Sequence, residues 1–435
     1  MRVLGLDIGS SSVKAAVLTG PRVPKQIEHE HYATDFGGGR AEIPVERITR
    51  AIKKAISRLE AKRIDFIIPT GMAPSWIAMD DRGRALSPVI THQDKRSIEE
   101  AHEIEKSVGK ARHLKIAGNR PVPGGISSTS CRWFAKHHRS EFRRVDLVGH
   151  LSTYLLRQWC DVRAIDPSSA SFTGIFKTTT LGGWDERLAE AAMLPIGALP
   201  EVIEGHQVAG HVTSRAASSF GFPEGVPVLA GVIDGSCPML LTDAAAGQAV
   251  QVVGSTDVLA VCVNEAKPME GLLTRALGVG RKWVSVGTLS AAGTAVAWLR
   301  RTMFSDLSDD AFWSLIRKTG PDRKTAVSFC NYLAGSRTEI DVPSATISGL
   351  TLACAREDVL AALLADLRRS STERLDRFRA AGVKIRGDYI LTTGGGDTTL
   401  APILRRDFPK TWKYRHRDEA TLAGVWKLAE LASAG

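Results

Sequence analysis

The chain has 435 residues, too many for one ordinary hydrophobic core, and its 43% hydrophobic and 24% charged content is that of a globular protein. Its apolar runs are short and broken by charges, so no bilayer-spanning segment is expected, and with Asp7 reached almost at once no secretory signal is expected either. The net charge of +10 is spread over Lys106–Lys115, Arg143-Arg144 and Arg415–Arg417, with acidic residues between them. Neither nucleic acid nor membrane is therefore expected as a partner, and the excess reads as a solvated surface that helps attract small anions. Six cysteines (131, 160, 237, 262, 330 and 354) are scattered without a Cys-x-x-Cys pair. Reduced thiols and a cytoplasmic location are expected.

The first element is Val3–Leu18, two apolar strands joined by Gly9-Ser10-Ser11-Ser12. A glycine followed by three serines lets backbone N–H groups and hydroxyls approach an anion closely. Asp7 closes the first strand, where a carboxylate can hold a divalent cation. A phosphate cradle beside a metal carboxylate points to nucleotide chemistry, although a Ser-rich hairpin alone is also an ordinary turn. A turn at Pro21–Pro24, a strand at Gln26–Tyr32 and a flexible Gly37-Gly38-Gly39 loop follow. Apolar residues at 45, 48, 52, 55, 56 and 59 predict a helix over Pro44–Leu59, and Ile64–Ile68 and Ser75–Met79 read as strands. Helices are predicted at Ser97–Val108 and Leu147–Trp159, with Gly118–Gly125 as a loop between them. Strands followed by amphipathic helices give an α/β class.

The run Val226–Ile233 predicts an apolar strand ending at Asp234. Ala249–Val263 then repeats the opening hairpin, with Gly254, Ser255 and Thr256 where Gly9, Ser10 and Ser11 stand. One hairpin appearing at positions 3 and 249 implies two domains on one plan, divided near residue 242. A strand at Trp283–Val286 and helices at Ala292–Phe304 and Asp358–Ala380 are expected next. Tyr389–Thr393 runs into Gly394-Gly395-Gly396, followed by Asp397, and this glycine run brings bare backbone against a flat or charged ligand group. A helix over Glu419–Ala432 ends the pattern.

These pieces, together with His92-Gln93-Asp94-Lys95-Arg96, Asp166–Ser171 and Gly335-Ser336-Arg337-Thr338, resemble the FGGY carbohydrate kinases of the actin/hexokinase/Hsp70 ATPase superfamily. The resemblance covers most of the chain. It implies two duplicated RNase H-like (actin-like ATPase) α/β domains around a central cleft. Residues 1–241 would form the sugar-binding domain and residues 242–435 the nucleotide-binding domain. It further implies ATP and Mg²⁺ as cofactors, with Asp7 on the metal and Gly9, Ser10, Ser11 and Ser12 on the first phosphate loop. Gly254, Ser255 and Thr256 would form the second loop, and Gly394–Gly396 would lie against adenosine. Asp234 would be the base taking the sugar hydroxyl's proton, and Asp94, Arg96 and Ser12 would meet the sugar. Phosphoryl transfer suits such a set, because it needs charge neutralisation and positioning more than covalent help.

Departures from the family pattern bear on the substrate. His92 stands where a Trp usually precedes Gln-Asp, and Gly235 follows Asp234 where many members have Asn or Gln. Gly335-Ser336-Arg337-Thr338-Glu339 replaces Gly-Glu-Arg-x-Pro, and Gly71–Ser75 lacks the Gln and His of xylulose kinases. Ser127–Ser130 and Gly254–Leu259 look like a compact branch containing D-ribulose kinases, so a ketopentose such as D-ribulose is the expected acceptor. Xylulose, sedoheptulose and glycerol stay open as acceptors. Two other classes stay open beside the kinase: a silent sugar- or nucleotide-binding relative, and an ATPase driving a partner. Asp94 and Arg96 read either as an ion pair or as sugar contacts, Asp166 as a helix cap, and Trp76 and Met72 as core. Lys14 reads as a snorkelling edge residue, and a homodimer is compatible with the sequence.

Overall fold

The computed structural model describes residues 1–61, 63–341, 344–396 and 399–434. Asp397, noted above after the glycine run, lies outside them. The chain forms two compact units, one of Met1–Ala246, Cys262–Val284 and Glu419–Gly435, the other of Gly247–Val261 and Ser285–Asp418. Among the described residues no helix is long and apolar enough to cross a membrane. All six cysteines are free thiols.

The first unit is organised on the strand Val3–Ile8. Its side chains are almost wholly apolar and buried, as a strand covered on both faces requires. It pairs antiparallel with Ser12–Leu18 and parallel with Phe66–Gly71. The full sheet runs Val208–His211, Pro227–Leu229, Phe66–Gly71, Val3–Ile8, Ser12–Leu18, Glu28–His31. Leu4, Leu6 and Ile8 pack with Ile48, Ile52 and Ile56 of the helix Val45–Ser57 in one core. The helix Ala420–Ala434 also packs on Val3–Ile8. A Cβ on its Gly424 would fall 2.2 Å from the carbonyl oxygen of Cys237, so only glycine allows that approach.

In the second unit Ala249–Val253 and Asp257–Val263 form the repeated hairpin, and Ile390–Thr393 pairs parallel with Ala249–Val253. Each half thus sets a hairpin beside a parallel strand that runs into glycine, Gly71 in one and Gly394 in the other. The long helix Arg356–Ala380 buries Leu360, Leu363, Leu364 and Leu367 against Leu299, Phe304 and Phe312. Beneath the hairpin lies a dry polar cluster. Arg374 donates to the Asp257 carboxylate at 2.6 Å, Gln251 donates to its other oxygen at 2.9 Å, and Arg405 donates to Gln251 at 2.7 Å.

Several elements differ from the sequence reading. Leu147–Trp159 is a buried strand, Leu147–Gly149, followed by the helix Leu151–Cys160, because Gly149 pairs with Ile77 before the helix begins. The strand expected over Val226–Ile233 stops at Leu229. Gly231 has φ +74°, and a Cβ there would lie 1.8 Å from the carbonyl oxygen of Pro69. The chain therefore turns, and Asp234 opens a short 3-10 turn, Asp234–Ser236, instead of ending a strand. Helices at Lys110–Ala117 and Ser128–His137 were not expected from the periodicity. The first is delimited by Gly109 and by Gly118 in the left-handed region, and the second starts from a run of buried Ser and Thr with little helix propensity.

Removing one partner of a buried ion pair leaves an uncompensated charge, at a cost of about 3–5 kcal/mol. Arg374→Leu is accordingly expected to lower stability to chemical denaturation by about that amount. A loss below about 1 kcal/mol would show that Asp257 finds other support.

Candidate active site

The turn after Val3–Ile8 is built so that its carbonyls point inward. Gly9 donates to the Ser12 carbonyl at 2.9 Å, and the Tyr32 hydroxyl donates to the Gly9 carbonyl. The Thr34 hydroxyl donates to the Ser10 carbonyl at 2.8 Å, and the Tyr32 N–H to the Ser11 carbonyl at 2.9 Å. Among the described residues, the N–H groups of Ser10 and Ser11 have no acceptor. That leaves donors and small hydroxyls for an anion.

Asp7 stands one residue before this turn, opposite Lys14 in the strand register. Burial raises its carboxyl from the ordinary range to about 7, with the negative charge of Asp234 adding to the effect and Lys14 opposing it. Lys14 does not snorkel as an edge residue. It forms an ion pair with Glu419 at 2.7 Å, and Glu419 sits at φ +46° just before the last helix. A carboxylate with high proton affinity beside a second carboxylate is a natural seat for a divalent cation, which would displace the proton.

Asp234 is held from three sides. The Thr70 hydroxyl donates to the Val232 carbonyl at 2.7 Å, and the Ser168 hydroxyl accepts from the Ile233 N–H at 3.1 Å. On the far side Arg275 donates to the Gly235 carbonyl at 2.9 Å and to the Ser236 hydroxyl at 2.5 Å. The Asp234 carboxylate accepts from the Gly235 N–H at 2.6 Å. Asp166 caps the helix Pro167–Ala170 by accepting from the Ser168 and Ser169 N–H groups, the structural role expected of it. Its second oxygen is buried without a hydrogen-bond partner among the described residues. Thr70, Ser168 and Arg275 were not singled out in the sequence. Ser168 lay inside a noted motif, but Arg275 sits in an unremarkable strand, Leu273–Ala276.

Asp94 and Arg96 form a separate cluster. They are an ion pair, but a buried one. Asp94 accepts from the Ala41 N–H at 2.7 Å and from Arg96 on both oxygens, and Arg96 also donates to Glu42 at 2.7 Å. The guanidinium lies 4.6 Å from the centre of the Trp133 ring, and its Nη1 has no hydrogen-bond partner among the described residues. Trp76 and Met72 are buried, as core residues should be. His137 and His138 stack on Trp133 and Phe134, and the described residues contain no cluster of metal-ligating side chains.

In the second unit Gly254 donates to the Thr256 carbonyl at 2.9 Å. The Gly254 and Ser255 carbonyls accept from Gly293, Ala292 and Thr294 at the start of the helix Gly293–Met303. The Ser255 and Thr256 N–H groups have no acceptor among the described residues. Gly394–Gly396 packs on the same strand end, with the Gly396 N–H on the Val253 carbonyl at 2.9 Å. Among the described residues, a Cβ on Gly394 or Gly396 would strike Val253, whereas one on Gly254 or Gly395 would meet nothing within 4 Å. The hairpin and the glycine run therefore meet at one strand end and present bare backbone there. Such a surface fits a nucleotide: amides for phosphate and flat glycine backbone for a nucleoside.

A group whose proton affinity is raised by folding stabilises the fold below its ordinary pKa and loses that contribution as pH rises through the folded value. For Asp7 in metal-free protein this window runs from the ordinary carboxylate range to about 7. Asp7→Asn is expected to gain stability over the parent progressively across that window, by up to about 4 kcal/mol at its upper end. Denaturation midpoints of both proteins at pH 4.5 and 8 check this, and a pH-independent difference would contradict the environment described for Asp7.

Residues 2–240 match the FGGY family of carbohydrate kinases, N-terminal domain. The chain is 24% identical over 383 residues to the gluconokinase of Bacillus subtilis, covering 83% of this chain and 74% of that one. It is 24% identical over 444 residues to the xylulose kinase of Escherichia coli, covering 99% and 90%. Among solved structures it resembles the xylulose kinase of Rhodospirillum rubrum with a TM-score of 0.87 at 22% identity, over 100% of this chain and 90% of that one.

Proposed function

Because this chain belongs to the FGGY family of carbohydrate kinases, with the two-domain fold of that family, we propose that it transfers phosphate from ATP to a sugar or polyol hydroxyl with Asp234 as general base. The observation that carries the reading is the turn Asp234–Ser236. A carboxylate is presented on a backbone fixed by Thr70, Ser168 and Arg275, near a second carboxylate, Asp7, suited to a cation. Mg-ATP, when bound, supplies the phosphoryl group and a metal charge that offsets the anionic oxygens.

The chain's own residues then have separable tasks. Asp7 holds the cation, Ser10, Ser11 and Ser12 donate to phosphate oxygens, and Gly9, whose N–H is taken by the Ser12 carbonyl, allows the close backbone approach. Ser255 and Thr256 do the same in the second hairpin, where the Gly254 N–H is taken by the Thr256 carbonyl and Gly254 again allows the close approach, while Gly394, Gly395 and Gly396 accept the nucleoside against bare backbone. Asp234 takes the proton of the attacking hydroxyl, which makes a poor nucleophile competent. Asp94 orients Arg96, which offers its remaining Nη1 to a sugar hydroxyl, and Ser12 supplies a further hydroxyl on the sugar side. In this reading residues 1–241 carry the sugar and residues 242–435 the nucleotide.

A ketopentose, D-ribulose first, is the acceptor we favour. Met72 and Pro74 lie in the segment where xylulose kinases carry Gln and His, and both are buried without polar side-chain atoms to read a hydroxyl. The test is ADP release with Mg-ATP across pentuloses, heptuloses, hexuloses, glycerol, alditols and aldonates. ATP binding without turnover on any acceptor would favour a silent relative instead.

With the best acceptor, Asp234→Asn is expected to lower kcat by about 10²–10⁴-fold and leave Mg-ATP affinity nearly unchanged. Turnover within a few-fold of the parent would place the base elsewhere. Gly395→Val, where an added Cβ meets nothing within 4 Å among the described residues, is expected to fold normally and to weaken ATP binding by at least about tenfold. Calorimetry with a non-hydrolysable ATP analogue measures it, and unchanged affinity would remove the glycine run from the nucleotide site.

A further inference from the structure

Arg275 is 3% exposed and has no carboxylate within ion-pair distance among the described residues. All its hydrogen bonds go to neutral acceptors: the Gly235 carbonyl at 2.9 Å, the Ser236 hydroxyl at 2.5 Å and the Ala276 carbonyl at 3.2 Å. Two of these belong to the turn that begins at Asp234. A buried charge is normally paired, because desolvation is otherwise costly. The charge of Arg275 instead faces Asp234 and Asp166 without a hydrogen bond to either carboxylate, while its donors lie on the turn itself. The second oxygen of Asp166 is likewise buried and, among the described residues, without a hydrogen-bond partner.

Residue 235 explains how the guanidinium comes to lie there. The residue directly after Asp234 is a glycine, which leaves the space beside it unfilled by a side chain. A Cβ at Gly235 would lie 3.5 Å from Nη2 of Arg275, so the guanidinium fills the space beside residue 235 and supplies polar donors there.

We propose that Arg275 is a positioning residue of the phosphoryl-transfer site, clamping the turn Asp234–Ser236 so that the Asp234 carboxylate is held in its working orientation. The inference rests on the reading of Asp234 as base. Arg275 touches neither reactant; it grips the backbone that follows the base, while Ser168 and Thr70 grip the backbone that precedes it. A carboxylate displaced by about 1 Å can lose as much as about 10²-fold in rate, and binding of either substrate does not depend on it to the same degree.

The experiment is a double-mutant cycle in the full chain, read by steady-state kinetics with the best acceptor from the substrate panel. Arg275→Met is expected to lower kcat by about 10–100-fold, with KM for acceptor and for Mg-ATP within about threefold. In an Asp234→Asn background the same change should cost less than about twofold, because no base is left to orient. Arg275→Lys, which can reach one acceptor but not grip two, should recover part of kcat, and it replaces Met in the cycle if the Met variant does not fold. An equal loss in both backgrounds, or an unchanged kcat in Arg275→Met, overturns the inference while leaving Asp234 as base. Parent-like turnover of Asp234→Asn refutes the base assignment itself.

Discussion

Everything proposed for the two glycine hairpins depends on where their carbonyl oxygens go. A tight turn has as many acceptors as donors, and an anion is repelled by the first as strongly as it is drawn by the second. Here the acceptors are taken from within. Tyr32, Thr34 and Gly9 satisfy the carbonyls of residues 9 to 12, and the start of the helix Gly293–Met303 satisfies those of Gly254 and Ser255. The two halves solve the same problem with different partners, the segment that follows the strand Glu28–His31 in one and a helix N-terminus in the other. Only the hairpin itself is repeated.

The duplication is also unequal in charge. The first turn spans four residues between the closing pair Ile8 and Val13, the second three between Val253 and Asp257. One residue before the closing pair the first hairpin has Asp7 and the second has Val252. The carboxylate suited to a cation is thus present once. In the second hairpin an acidic residue follows the turn instead, and Asp257 is spent on Arg374 and Gln251 in a dry core. An acidic residue next to a phosphate-type turn is therefore no guide by itself; burial and partners decide whether it is free to act.

Much of this was legible in the chain because it is written locally. Small polar residues between two apolar runs announce a hairpin, and Gly394–Gly396 after a strand announces bare backbone, whatever lies elsewhere. The missing parts are written across long separations. Lys14 meets Glu419, 405 residues away, so its neighbours alone suggested an edge lysine. The helix Ser128–His137 begins with residues of poor helix propensity and stands because tertiary packing buries them. The break at Gly231 follows from a carbonyl of Pro69 on another strand, which no local pattern contains.

Two buried arginines show what separates structure from function in such a protein. Arg374 and Arg275 are both withdrawn from water, and neither stands out in the sequence. Arg374 has its carboxylate at 2.6 Å and its methylenes against Gly287, so its charge is neutralised where it lies and its work is to hold a core together. Among the described residues Arg275 has only neutral acceptors, two of them on the turn that carries Asp234 and the third its neighbour Ala276. Burying an unneutralised guanidinium weakens a fold, and a core needing only stability would be better served by an apolar residue of similar volume. Its place facing two carboxylates, Asp166 and Asp234, makes physical sense if those carboxylates have to stay close together, as the phosphoryl-transfer role proposed for Asp234 would require.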